Sequence, residues 1–389
     1  LRFKMKYEIS DRISSMPTSI FAIMSKISAE FNAVNLGQGF PDFDGPTSLM
    51  EEVNKSMLTG KNQYAPSPGI FSLRKMISEV QNNYYGMNYD PESEITITAG
   101  ATEGLYCAIQ AFINPGDEVI LFEPFYDAYQ ADVILAGGIP KYVTLHKPEF
   151  NFDKNELISA INHKTKMLII NSPHNPSGKV FTIEELSQIA DIAQSYNLLV
   201  LSDEAYEFLT YDNAKHIPIA TLPGMAGRTI TVNSTGKTFG MTGWKIGYLT
   251  ATKQISEAIR KVHQWTTFAV NTPMQHAVAA GFNSLDEYLP QFREIYLKKR
   301  NLAFHLLQNT EFNPHKPLGS YFIMIDIPHD KYRDDVDAAM SLVKKNKVAT
   351  IPPSVFYSKS DEGKSMLRLC FAKSDDVLIE GIRNLKQTP

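Results

Sequence analysis

Lys237 lies in Asn233-Ser234-Thr235-Gly236-Lys237-Thr238-Phe239, directly after the β-branched run Thr229-Ile230-Thr231-Val232, which reads as a short buried strand. The lysine is therefore expected in a loop just past a strand end. A desolvated amine near a second cation such as Lys245 loses proton affinity and becomes a candidate Schiff-base nucleophile at neutral pH. Most lysines are solvated surface charges, so Lys237 gains weight only from partners elsewhere in the chain. Two other motifs fit these residues poorly. A P-loop needs a glycine where Thr231 stands. Ser234-Thr235-Gly236-Lys237 matches the S-x-x-K of some serine hydrolases, but the companion S-D-N and K-T-G elements are Ser202-Asp203-Glu204 and Lys237-Thr238-Phe239 here.

Partners do exist. Asp203 ends the apolar run Leu198-Leu199-Val200-Leu201-Ser202, where a carboxylate is costly unless matched. It could pair with a protonated pyridine nitrogen and turn that ring into an electron sink, or cap the next helix. Tyr206 follows closely enough to aim its hydroxyl at the same ligand. Asn175, in Asn171-Ser172-Pro173-His174-Asn175-Pro176-Ser177-Gly178, could donate to a phenolate oxygen or belong to an ordinary Pro/Gly turn. Gly100-Ala101-Thr102-Glu103-Gly104 passes from strand to helix, so its amides could seat a phosphate with help from Ser234 and Lys245. Tyr126 offers an aromatic face, for stacking or for core packing. Arg368, within Leu367-Arg368-Leu369-Cys370-Phe371, needs an anion, either a substrate carboxylate held bidentately or an internal salt bridge. Taken together, these groups describe one ligand, pyridoxal 5'-phosphate, with an amino acid.

The elements that must position them alternate. An arm and a helix through Ile20, Met24 and Ile27 precede a Gly/Pro-dense loop, residues 35–46, in which Asp42 stands where a dinucleotide fingerprint would need its third glycine. Leu73, Met76, Ile77 and Val80 recur at helical spacing. Strands are expected at Ile95-Thr98, Glu118-Phe122, Lys166-Asn171, Leu198-Ser202, Thr229-Asn233 and Ile246-Thr250, with helices from Ala101, from Phe125 and from a capping box at Thr182 to Glu185. Strands apolar throughout, alternating with helices, argue an α/β fold with a mainly parallel sheet covered on both faces. Ligands of such sheets gather at the carboxyl ends of the strands, where Lys237, Asp203, Asn175 and Tyr126 fall. Beyond about residue 275 the pattern turns to long helices, one through Leu297 to Leu307, and short strands at Tyr321-Asp326, Val348-Ile351 and Met366-Phe371. This reads as a smaller α+β domain over 276–389, joined by residues 1–45, beside a large domain over 46–275.

A chain of 389 residues has room for this arrangement. With 43% hydrophobic and 21% charged residues it is globular in composition, and a net charge of −4 leaves no electrostatic footprint for nucleic acid. No apolar run is long enough for a membrane span. The cysteines, Cys107 and Cys370, sit in apolar segments, which excludes a disulfide framework and suits a reducing cytoplasm. The leader from Leu1 to Tyr7 is basic without a following apolar stretch, so no signal peptide is expected.

With those residues in view, the chain resembles a class I aminotransferase of fold type I from about Ile20 onward, and within that family it is most similar to the methionine aminotransferases and the related kynurenine and glutamine transaminases. The resemblance rests on Asn35-Leu36-Gly37-Gln38-Gly39-Phe40-Pro41-Asp42-Phe43, Glu123-Pro124-Phe125-Tyr126-Asp127, Pro173-His174-Asn175-Pro176 and Gly236-Lys237-Thr238-Phe239. It implies a mainly parallel seven-stranded sheet between helices, pyridoxal 5'-phosphate as cofactor, and ping-pong transfer of an amino group from methionine or another apolar or aromatic amino acid to a 2-oxo acid. Lys237 would bind the cofactor aldehyde and Asp203 its ring nitrogen. Asn175 and Tyr206 would meet the ring hydroxyl, Tyr126 would stack, and Ala101, Thr102, Ser234 and Lys245 would hold the phosphate. Arg368, Asn175 and the Gly39 backbone would take the substrate carboxylate. Tyr64 would reach the phosphate of a neighbouring subunit, making a homodimer with shared sites. Phe21, Phe268 and Tyr64 would line the side-chain pocket. The alternative that the resemblance implies is a kynurenine/glutamine transaminase with cysteine-conjugate β-lyase activity; in some kynurenine-acting relatives a histidine follows the residue matching Phe268, whereas Ala269 stands here, which counts against kynurenine specificity.

Overall fold

The computed structural model describes residues 9–14, 16 and 18–386; the basic leader from Leu1 to Tyr7 lies outside them. Its centre is a sheet in the order Ile95–Thr98, Gly247–Thr250, Thr229–Ser234, Leu199–Asp203, Thr165–Asn171, Glu118–Glu123, Ile139–His146, Asn151–Phe152. Gly247–Thr250 pairs antiparallel with both neighbours, as does the edge strand Asn151–Phe152 with its one neighbour, and the other pairings are parallel. The resemblance implies seven strands and the sheet has eight: the six read from the residues, Ile139–His146, and the short edge strand Asn151–Phe152.

The apolar strands split their side chains between two layers. Ile120, Phe122, Leu168, Ile170 and Val200 pack to one face, and Val119, Leu121, Met167, Ile169 and Leu201 to the other. This is why these strands read as continuous hydrophobic runs: both faces are roofed by helices. Ile139–His146 is absent from the sequence reading for the opposite reason. Near the sheet margin, only Val143, Thr144 and Leu145 are buried, and it carries Pro140 and Lys141. Such residues are tolerated where a strand has one well-covered side.

The capping box is present, with the Thr182 hydroxyl accepting from the Glu185 amide and the Glu185 carboxylate accepting from the Thr182 amide. Helix Gly100–Phe112 begins with Gly100 at φ +77°, a left-handed conformation in which a side chain would be strained. In the C-terminal part, helix Leu285–Gln308 runs beside an antiparallel sheet of Asn313–His315, Phe322–Asp326 and Met366–Cys370. Val34–Asn35 pairs in parallel with Val348–Ala349, so the N-terminal segment packs with the C-terminal part.

One buried carboxylate fastens this part to the large sheet. Glu123, at the end of its strand, accepts backbone N–H groups from Ser358 (2.7 Å), Lys359 (2.9 Å) and Ser360 (2.7 Å), and the Thr144 hydroxyl at 2.9 Å. The Phe125 amide donates to the Phe356 carbonyl at 2.9 Å. Together they fix the segment that carries Phe356 toward the site. Replacing Glu123→Ala is expected to cost about 2–4 kcal/mol, because it leaves those amides without an acceptor, and to lower the urea midpoint accordingly. An unchanged midpoint would mean that water serves the amides equally well.

Candidate active site

A cavity of about 310 Å³ opens at the carboxyl ends of strands Thr165–Asn171, Leu199–Asp203 and Thr229–Ser234, and Phe21, Gln38, Gly39 and Phe40 close it from the N-terminal segment. It is lined by Ala101, Thr102, Tyr126, Asn175, Asp203, Tyr206, Ser234, Lys237 and Lys245. These are residues that the sequence analysis singled out from separate stretches.

Lys237 lies in the single helical turn Thr235–Thr238 rather than in an open loop. That turn stiffens its backbone. Its Nζ donates to the Tyr321 hydroxyl at 2.8 Å and to the Gly39 carbonyl at 3.4 Å. Burial above all, helped by Lys245 and Arg368 and opposed by Cys370 and Asp203, lowers the amine's pKa from 10.5 to about 8. The amine thus has a substantial uncharged fraction near neutral pH.

Asp203 serves in two ways. Its Oδ1 accepts the Ala205 amide at 3.1 Å, so it does cap the following turn, while its Oδ2 accepts the Tyr129 hydroxyl at 2.6 Å. Burial raises its pKa, and these hydrogen bonds with the nearby Lys237 charge hold it down. A carboxylate placed so, with no ion pair among the described residues, is open to a cationic partner from outside the chain. Tyr206 is buried, which pushes its phenol pKa far above the ordinary value, and its ring lies edge-on to Tyr321 at 5.0 Å.

Arg368 stands one layer behind the cavity wall, 1% exposed. Its Nη1 donates to Asn175 Oδ1 at 3.0 Å and its Nη2 to the Gly37 carbonyl at 2.8 Å, but its Nε has no partner. Phe322, Phe21 and Phe356 surround the guanidinium at 4.2, 5.0 and 5.7 Å. The internal salt bridge is not formed among the described residues, so the positive charge is left for an external anion. Because Asn175 spends its oxygen on Arg368, its amide N–H groups are the ones left to donate.

The phosphate seat is built by close approach. At Gly100 an added Cβ would come within 3.3 Å of Lys245 Nζ, and at Gly247 within 2.7 Å of the Ala101 amide nitrogen. The first amides of Gly100–Phe112 therefore face Lys245 with no side chain between them, an arrangement suited to a dianion. Thr102 and Tyr126 adjoin, and burial raises the Tyr126 phenol to about 12. Gly39 is needed too, since a Cβ there would meet the Phe322 ring at 2.8 Å.

Not every expected residue is here. Tyr64 and Phe268 form an edge-on pair at 5.2 Å, are 82% and 46% exposed, and do not line the cavity of their own chain. Phe268 follows the end of helix Lys253–Thr266 at φ +68°, which carries it outward. Conversely, sequence reasoning missed Tyr129, Tyr321, Phe322 and Phe356. Tyr129 follows Tyr126 at the i, i+3 spacing that shares a helix face, a signal that could have found it; the other three lie in apolar runs that look like plain core.

A layered sheet with a buried lysine, a buried carboxylate and an open helix N-terminus at its strand ends and, behind them, an arginine with no ion pair among the described residues, has the parts that an enzyme anchoring an aldehyde cofactor needs. The model of the family aminotransferase class I and II matches residues 32–384, and the chain belongs to that family. It is a pyridoxal-phosphate-dependent aminotransferase. It is 38% identical to a methionine aminotransferase of Escherichia coli over 376 residues, covering 97% of each chain. It is also 38% identical to a kynurenine–oxoglutarate transaminase of Dictyostelium discoideum, covering 97% of this chain and 96% of that one. The solved N-succinyldiaminopimelate aminotransferase of Mycobacterium tuberculosis superposes with a TM-score of 0.95 at 38% identity, over 97% of this chain and 99% of that one.

Cofactor-free enzyme exposed to a small acylating reagent should be modified at Lys237 with a midpoint near pH 8, well below the ordinary 10.5. Reactivity rises with pH because only the uncharged amine attacks. Peptide mapping after labelling at a series of pH values reads this out, and a midpoint near the ordinary lysine value would show that the amine is not desolvated.

Proposed function

We propose that this aminotransferase moves the amino group of methionine, or of another apolar or aromatic L-amino acid, to a 2-oxo acid by a ping-pong sequence. The observation that carries the donor class is the cation inventory of the cavity: the cations lining it are Lys237 and Lys245, both assigned to the cofactor end, with Arg368 behind its wall. Among the described residues no further lining cation is left for a second carboxylate, and Phe21 and Phe40 supply apolar wall. The E. coli methionine aminotransferase relative supports the same reading.

Bound pyridoxal phosphate supplies an aldehyde and a ring into which negative charge at the substrate Cα can spread. Lys237 would hold that aldehyde and, once released from it, would be the base placed to take the proton from the substrate Cα. Asp203, steadied by Tyr129, would keep the ring nitrogen protonated. Asn175 and Tyr206 would donate to the ring hydroxyl, and Tyr126 would pack on the ring face. The amides of Ala101 and Thr102 would hold the phosphate with Ser234 and Lys245. Arg368, Asn175 and the Gly39 backbone orient the substrate carboxylate.

The exposed Tyr64–Phe268 pair fits a homodimer in which each copy lends these rings to its neighbour's site, Tyr64 reaching the phosphate and Phe268 the substrate side chain. The large cofactor-binding domain would span 46–275, and the smaller one 1–45 with 276–389. Both cysteines are free and buried, and no helix among the described residues is long and apolar enough to cross a membrane, which fits work in the cytoplasm. The kynurenine–oxoglutarate transaminase relative supports kynurenine as a second donor, against which Ala269 stands.

Initial rates over a panel of amino donors test the class: methionine, leucine and phenylalanine should outpace aspartate and glutamate, and a preference for the acidic donors would overturn it. Lys237→Ala should retain substrate binding while turnover falls by about 10⁴-fold. Arg368→Lys, which loses the planar fork, should raise the donor KM by about tenfold to a hundredfold with a smaller change in kcat.

A further inference from the structure

Two hydrogen bonds converge on a phenol that the assignments above leave without a task. Tyr321, 1% exposed, donates its hydroxyl proton to the Gly39 carbonyl at 2.6 Å. A phenol has one O–H, so toward Lys237 Nζ, 2.8 Å away, the same oxygen can only accept. The Gly39 carbonyl is a second acceptor for that amine, at 3.4 Å. The ring cannot swing away. It is stacked on Tyr296 at 6.1 Å and 19°, and lies edge-on to Phe322 at 4.8 Å and to Tyr206 at 5.0 Å. Burial keeps the phenol un-ionised, since its pKa is raised well above the usual value. Tyr321 is therefore a fixed, neutral acceptor aimed at the amine, unsuited to carrying protons itself.

The same short strip of backbone reaches the other end of the site. Gly37, two residues before Gly39, gives its carbonyl to Arg368 Nη2 at 2.8 Å. The amine and the guanidinium thus share one support, bound to the strand start at Tyr321 on one side and to the strand Met366–Cys370 on the other.

We propose that Tyr321 is a positioning residue that docks and aims the Lys237 amine whenever that amine is not bonded to the cofactor, holding it against the Gly37–Gly39 strip. The inference rests on Lys237 being the cofactor lysine. Docking on an acceptor favours the charged amine more than the neutral one, so the hydroxyl holds a proton on the resting lysine as well as fixing its place. Without it, the amine should be freed of that proton at lower pH and should wander.

The test compares cofactor-free wild type with Tyr321→Phe, which keeps the ring. Each is given pyridoxal phosphate over a series of pH values, capture is followed by absorbance, and the product is reduced with borohydride and mapped. Trapping at Lys237 in both proteins is expected, with the capture midpoint of the variant lower by about half a unit to one unit. The half-reaction of the loaded variant with methionine should slow by about tenfold or more, because the released amine is no longer aimed. Should Tyr321→Phe fold poorly, 3-fluorotyrosine placed at 321, a weaker acceptor of nearly the same shape, should shift the midpoint in the same direction by less. Trapping at Lys237 with coincident midpoints and equal half-reaction rates would overturn the role of Tyr321 while leaving the lysine assignment intact. Wild-type trapping at another lysine would overturn the assignment itself, and this inference with it.

Discussion

Three charged groups, Lys237, Arg368 and Asp203, are held out of water at one cavity, and none of them forms an ion pair among the described residues. Unpaired buried charge is among the most costly things a fold can contain. The structure meets that cost with neutral groups: hydroxyls on Asp203 and Lys237, carbonyls and an amide oxygen on Arg368, and aromatic faces around the guanidinium. What remains unmet has a shape. In the function proposed, a ligand with a cationic ring nitrogen, a reactive aldehyde and a partner carboxylate would relieve all three groups at once, so that the resting protein would hold binding energy as electrostatic demand.

Supporting that demand takes chain from many places. The bonds around the site join residues 84 positions apart at Lys237 and Tyr321, 193 at Asn175 and Arg368, 282 at Gly39 and Tyr321, and 331 at Gly37 and Arg368. The first two join the strand ends of the large sheet to the C-terminal antiparallel sheet, and the last two join that C-terminal part to the segment around Gly37–Gly39. That segment is thin and glycine-rich because bulk is excluded, as the closeness of Phe322 to Gly39 shows. The Glu123 anchor plays the matching part on the far side, bringing Phe356 against Phe21 and Arg368.

Much of this was legible in the residues alone. Strand Ile95–Thr98 coincides with its reading, other sheet strands differ by a residue at one or both ends, and the capping box of Thr182 and Glu185 is formed. The reason is local: strands covered on both faces must be apolar along their length, and turns must carry glycine, proline or a capping hydroxyl. Where covering is partial, as at Ile139–His146, the signal fades and the reading failed. Charged residues in apolar strands, Asp203 at the end of one and Arg368 in the middle of another, announced the site for a related reason, since only function or a partner keeps them there.

The sequence by itself thus determined the class of fold, the cofactor chemistry and the identity of the charged groups, because each of these is written in residue type and short-range spacing. Only the tertiary structure decided what those groups lean on: that Asp203 is gripped by Tyr129, that Arg368 keeps a free Nε inside an aromatic collar, that Lys237 rests on Tyr321, and that Phe268 and Tyr64 turn away from their own cavity. A tyrosine or phenylalanine in an apolar run looks the same whether it fills a core or touches a reactive atom. The difference is a matter of a few ångströms between segments far apart in the chain, and no pattern along the chain records such distances.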